Sequence, residues 1–328
     1  MTKSFSTLVF VLCAGLTPQA QGQSQTADSV AQRLRAVPAE LYAADSALRI
    51  INVYRLEAED VMGFEQSSRP DVLDRLSRDA YRPYASFWKG YLGDEARFRD
   101  WAGTALFAKE HPIHTRIGAV LELRLDSLFT SISSWLVTTT GRRPRGVWYI
   151  VFGPGWTDMG GFNDGTMLVD FTKTEANRDT IAFKLAHELT HMAHGSSEAQ
   201  STDADSGTVL QRIVSEGLAS YASYAYAAGR CSPAQSVIYT DADWTWALAH
   251  EGELIAAARP YLRSRSRTDL NRFAARNERL IDAGPTAIGY FLGFRVVQAY
   301  VAKHGPNSWA DLIDLPVREA VSRSGYGL

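Results

Sequence analysis

The stretch FKLAHELTHMAHG at residues 183–195 carries three of the seven histidines of the chain. It belongs to a segment, NRDTIAFKLAHELTHMAHG, that opens on a capping residue, Asn177 or Asp179, and closes on Gly195, which predicts one helix. Residues four apart on a helix share a face. His187 and His191 can therefore aim two imidazoles at one metal ion. Glu188 lies one residue round the helix from His187, where its carboxylate reaches a water on that ion rather than the ion itself. Zinc brings the pKa of such a water toward about 7. A neighbouring carboxylate can then take its proton and later pass it to a leaving amine.

The surroundings of this helix are mostly helical. The chain has 328 residues, 45% hydrophobic and 21% charged, with a formal net charge of -2. That is ordinary globular composition and long enough for a sizeable core. No basic block interleaved with aromatics stands out, which excludes a nucleic-acid surface. RSRSR at 263–267 is the densest basic cluster and reads as a solvated loop or helix end. Residues 29–50 have helix-like spacing broken at Pro38, and 69–92 read as helix with a break near Pro83. Residues 94–140 are helical again. There Ile117, Leu121, Leu125, Leu128, Ile132 and Leu136 recur at spacings of three and four. VWYIVFG at 147–153 and TMLVDFT at 166–172 are strand-like. They read as an antiparallel hairpin whose long loop holds GGFNDG, directly before the histidine helix. TVLQRIVSEGLASYASYAYAAG, ending at Gly229, predicts another helix. The expected fold class is α+β, mainly α: a small antiparallel sheet ahead of the histidine helix, in one catalytic unit from about residue 30 to 328. Within it, 23–140 is a helical N-terminal region and 141–328 carries the sheet, the metal helices and the C-terminal helices.

The first 22 residues have the anatomy of a signal peptide: Lys3, an apolar run from Leu8 to Leu16, then small and polar residues with Ala20 and Gly22 at a cleavage site. The run is shorter than the roughly 20 residues of a permanent span. Leu12 stands before Cys13 where a lipoprotein signal has a small residue, so a lipid anchor is not expected. Removal of 1–22 leaves Cys231 as the one cysteine, which excludes an intramolecular disulfide. No later segment is long and apolar enough to span a membrane. The expectation is export, to the periplasm or the outside.

A catalytic zinc takes three protein ligands and a water. Glu216, in SEGLASY and 25 positions after His191, can supply the third from a separate helix. Its neighbours Gly217 and Ala219 permit close helix packing. His194 is a second candidate. It lies two turns from His187, about 10 Å along the axis, so it would need the helix end to unwind. Asp203 and Asp205 are further candidates in a polar loop. A glycine three residues after the second histidine, with a third histidine three later, would mark a metzincin. Those places hold His194 and Ser197.

HELTH followed by EGLASY resembles the gluzincin, thermolysin-like zinc peptidases. It is most similar to an uncharacterised family of bacterial predicted Zn-dependent proteases. In that family a histidine helix, an EGLA helix and a GYxxG segment follow in order. Here the last is AIGYFLGFRVVQAYVAKHG at 287–305, and ASFWKGY at 85–91 also fits. The resemblance spans about residues 80 to 305. It implies one zinc ion held by His187, His191 and Glu216, Glu188 as general base, and a zincin-like fold with the cleft between helices and sheet. An oxyanion donor besides the metal is expected. Tyr290 is chosen for it, with Tyr221 and Tyr224 as alternatives. As in thermolysin-like enzymes, TMLVDFT would be the edge strand to which a peptide substrate adds, with GGFNDG as a lip. The Trp residues of DADWTWALAH are read as packing. The expected activity is hydrolysis of a peptide or protein substrate. The alternatives are hydrolysis of a non-peptide amide or ester, and a sensing or binding protein that keeps the metal without turnover. Glu188 argues against the last, because a non-catalytic site has no need of a base.

Overall fold

Pro38 follows the first helix, α1 (Ala27–Ala36), but the chain beyond it is not helical as expected. It forms a hairpin of β1 (Glu40–Ala43) and β2 (Leu48–Asn52). Ala44, Asp45 and Ser46 turn it, all at positive φ (51°, 54° and 68°), a conformation ordinarily left to glycine. The region 23–140 is thus not wholly helical; it supplies two of the five strands. The computed structural model describes residues 27–63, 68–162, 165–195, 204–275 and 277–328. The signal-peptide reading of 1–22 and the candidate Asp203 lie outside these.

Helices α2 (Val53–Met62), α3 (Arg69–Leu76), α4 (Ala85–Tyr91) and α5 (Glu95–Trp101) follow. The periodic apolar residues Ile117 to Leu136 are all buried, on two helices, α6 (Ile113–Glu122) and α7 (Leu125–Thr140). The break falls at Arg124, which has φ 52°. The carbonyl of Leu123, freed by the break, accepts from Arg178.

The sheet runs β1-β2-β3-β5-β4, with β3 (Gly146–Val151), β4 (Met159–Gly161) and β5 (Thr166–Asp170). Here the structure corrects the antiparallel expectation. β3 pairs parallel with both β2 and β5, so the sheet is mixed. The hairpin is β4–β5. It is closed by the Phe162 N–H on the Thr166 carbonyl at 2.7 Å and by Gly165 at φ 80°. TMLVDFT is consequently an interior strand, and the edges are β1 and β4. Mainly helical α+β remains the class. Successive strand residues face opposite sides. Trp148 packs on Phe129 of α7 at 5.2 Å, while Tyr149 stacks on Phe87 of α4 at 4.1 Å. Helices therefore cover both faces.

The histidine helix, α8 (Arg178–Gly195), is capped by Asn177, whose side chain accepts from the Thr180 N–H at 3.0 Å. It is fixed to the sheet by the Trp148 indole N–H on Met192 sulfur at 3.2 Å. Lys184 on Asp158 at 2.6 Å ties it to the loop before β4. The glutamate helix, α9 (Val209–Ala227), is capped by Thr208. The remainder is α10 (Pro233–Ser236), α11 (Asp241–Ala249), α12 (Glu251–Ala258), α13 (Arg267–Ala274), α14 (Ile288–His304) and α15 (Val317–Ser324). Trp244 packs on Phe291 and Phe294, and Trp246 stacks on His250. Arg263, Arg265 and Arg267 are exposed. Among the described residues no helix is long and apolar enough to cross a membrane.

α9 and α14 touch backbone to backbone. A methyl group on Gly217 would lie 1.9 Å from the Gly293 carbonyl carbon, and one on Gly293 would lie 1.9 Å from the Ile213 oxygen. Neither neighbour is a side chain that could swing away. Gly293→Ala should force the helices apart and lower the thermal midpoint, a cost of about 1–3 kcal/mol or more. An unchanged midpoint on melting would show that the contact is not tight.

Glu57 of α2 is fully buried. One carboxyl oxygen accepts from the Phe152 N–H at 2.7 Å, and the other has no partner among the described residues. Burial pushes its pKa from 4.5 up to about 8; the Phe152 N–H opposes this and Asp170 adds to it. The folded state then holds a proton that the unfolded chain releases. Stability attributable to this group should fall as pH rises from 4.5 to about 8, at no more than roughly 1.4 kcal/mol per pH unit. Glu57→Gln should be less sensitive over that window. Parallel stability curves for the two proteins, from denaturant titration at each pH, would rule the effect out.

Candidate functional site

Three side chains from two helices converge on one point. His187 and His191 stand one turn apart on α8, and Glu216 reaches them from α9. The His187 Nε2 to His191 Nε2 distance is 3.0 Å. Glu216 Oε2 lies 3.2 Å from the first nitrogen and 3.3 Å from the second. The triangle is nearly equilateral. A tetrahedral zinc with bonds of about 2.0–2.2 Å separates its ligand atoms by roughly 3.3 Å. The donor set and its spacing fit such an ion, and these three residues form the one group of candidate ligands among those described.

The surroundings position two of the three candidate ligands. Ser215 Oγ lies 3.1 Å from His191 Nδ1. A proton donated there leaves the Nε2 lone pair facing the centre. Glu216 is 3% exposed, and its second oxygen takes Arg212 Nη2 at 2.9 Å. Oε2 is thereby left to the histidines. Burial alone would raise the Glu216 pKa, but His191, His187 and Arg212 outweigh it and hold the carboxyl well below its ordinary range. For His191, burial disfavours the charged ring, yet Glu216 beside it raises the pKa on balance.

His194 is buried and is not part of the triad; its Nδ1 lies 3.4 Å from Ser215 Oγ. Asp205 is bound by Arg318 at 2.6 Å. Tyr221 is packed against Tyr224 and Phe294. Tyr290, on α14, stacks over the His187 ring at 6.0 Å and 18°. Burial and the Glu216 charge push its pKa up, so its hydroxyl keeps its proton.

His187, Glu188 and Tyr290 line a cleft of about 410 Å³, walled by α8, the start of β4 and residues 230–238. Glu188 is half-buried and makes no hydrogen bond or ion pair among the described residues. Arg212 and Ser215 had not been singled out from the sequence. For Arg212 a signal exists, since it precedes Glu216 by one helical turn, where a cation meets a carboxylate. For Ser215 there is none, because its role depends on how α8 and α9 cross.

Neither a curated protein nor a solved structure matches the chain. A family model does. It covers residues 149–322, which takes in the sheet's β5, both metal-site helices and the GYFLG segment but not ASFWKGY. With more than half its length matched, the chain belongs to the family described as Predicted Zn-dependent protease (DUF2268).

Proposed function

We propose that this protein is an exported zinc-dependent metallopeptidase that binds one zinc ion through His187, His191 and Glu216 and uses Glu188 as general base. The observation that carries the reading is the near-equilateral triangle of ligand atoms with Glu188 beside it in an open cleft. A zinc ion held there would supply a Lewis acid that polarises the scissile carbonyl and acidifies the attacking water.

The chain's own residues do the rest. Glu188 takes a proton on its carboxylate from the attacking water and returns it to the leaving amine. The Tyr290 hydroxyl, protonated and beside Glu216, would turn to donate to the carbonyl oxygen as negative charge develops on it. β4 offers its unpaired edge to an extended peptide, which adds as a further strand. The peptide backbone then lies alongside the cleft. Ser215 orients His191, and Arg212 keeps Glu216 from offering both oxygens.

Glu188→Gln should retain zinc and lose peptide hydrolysis by a factor of about 10² or more. Digestion of a peptide library by both proteins, with zinc measured in each, checks this. Undiminished cleavage by the metal-loaded variant would discard Glu188 as the base.

The third ligand has its own test. Dialysed Glu216→Ala should lose its zinc, while His194→Ala should keep it, because His194 faces Ser215 and not the triad. Elemental analysis of the two variants is sufficient. The reverse pattern would overturn the ligand set.

A further inference from the structure

Beyond the reacting centre the same cleft carries a second kind of chemistry. Its lining also holds two cations, Lys184 and Arg230. Arg230 is built into position. Its Nε donates to the Ala227 carbonyl at 3.1 Å, and Nη1 meets Asp179 at 2.7 Å. Its guanidinium lies 5.4 Å from the centre of the Phe183 ring and 5.9 Å from that of Tyr226. Nη2 has no partner among the described residues. A planar fork fixed by its main-chain bond and ring packing, with one arm open, is the geometry that receives a carboxylate.

Two cations, Lys184 and Arg230, and two carboxylates, Asp158 and Glu188, line the cleft, and they differ in how they are paired. Lys184 is matched by Asp158, which lines the cleft with it. Arg230 is matched by Asp179, which does not line the cleft and is largely exposed. The spacing is also suitable. Phe183 precedes His187 by one helical turn, about 6 Å along the axis, and both line the cleft together with Arg230.

We propose that Arg230, with Phe183 beneath it, forms a subsite for a substrate carboxylate next to the scissile bond. The peptidase would then prefer an acidic residue or a free chain end at that place. This rests on the zinc-peptidase reading above. Either source presents the same group: a glutamate side chain lays its methylenes on Phe183, and a terminal carboxylate arrives on the backbone itself.

The test is a binding measurement, so it does not need turnover. Malonyl hydroxamates chelate zinc at one end and can carry different groups at the other. Four are titrated by calorimetry into the zinc-loaded chain: Glu-amide, Leu-amide, Lys-amide and alanine with a free carboxylate. Wild type should bind the Glu-amide, the free-acid alanine, or both about tenfold more tightly than the Leu-amide, the usual reach of a charge-assisted hydrogen bond. The Lys-amide should bind most weakly. Which carboxylate gains shows whether the side chain or the chain end is read. Arg230→Gln should abolish the advantage and Arg230→Glu should shift it to the Lys-amide, with Leu-amide affinity unchanged in both as the control for folding. Equal affinities in wild type, or an advantage that survives Arg230→Gln, overturns the subsite while leaving the zinc reading intact. If no hydroxamate binds, the zinc reading fails and the subsite falls with it.

Discussion

The contact of Gly217 with Gly293 is the constraint on which the site depends. Backbones can approach this closely only where neither residue has a Cβ. Gly217 follows Glu216 directly, and Gly293 stands three residues, nearly one turn, after Tyr290. One crossing therefore sets two things: how deeply Glu216 is buried against the α8 histidines, and how Tyr290 lies over His187. The sequence suggested that small residues beside Glu216 would let a helix come near, and they do. The helix that uses Gly217 is α14 rather than α8 itself. α14 thus backs the glutamate helix while its own first turn faces the cleft.

A carboxylate buried to 3% needs partners, because an uncompensated buried charge is costly. Glu216 has them on both oxygens. Arg212, half exposed, reaches in along the same helix and satisfies one. The two histidines satisfy the other, and a bound cation would do so more fully. The site is preorganised in the sense that Ser215, Arg212 and the Trp148–Met192 contact fix the ligands through elements that exist for packing.

How much of this was legible in the chain follows from the range of the forces involved. His187, Glu188 and His191 were readable because one helix fixes their relation within a single turn. Glu216 was readable as a carboxylate on a second amphipathic helix, flanked by small residues. The sheet was less so. β4 is three residues, Met-Gly-Gly, with no strand signature, so its hairpin with β5 was assigned to β3 instead. β3 and β5 have near-continuous apolar runs that suit a buried parallel pair as well as an antiparallel one. β1 and β2 were hidden because their turn, Ala44–Ser46, contains no glycine to announce it. The pairing of Lys184 with Asp158 and the placing of Arg230 over Phe183 are products of tertiary packing, without a local trace in the sequence.

Four of the carboxylates near the sheet and cleft differ in how they are satisfied, and the difference separates structure from chemistry. Glu57 escapes the cost of burial by staying protonated. Asp170, also buried, accepts from the N–H groups of Gly153, Gly155 and Thr172 and from the Tyr91 hydroxyl. Glu216 is paired by a cation and two imidazoles. Glu57 and Asp170 are engaged by the fold itself, and Glu216 is committed to the candidate metal site. Glu188 is half-buried, lies in the cleft wall beside His187, and has no bond or ion pair among the described residues. Its charge adds to the rise in the His191 pKa, and the proposed peptidase uses it as the general base. A group that must exchange a proton with a bound ligand has to be left unengaged by the protein and open on one side, and Glu188 is the one carboxylate of the four that meets both conditions.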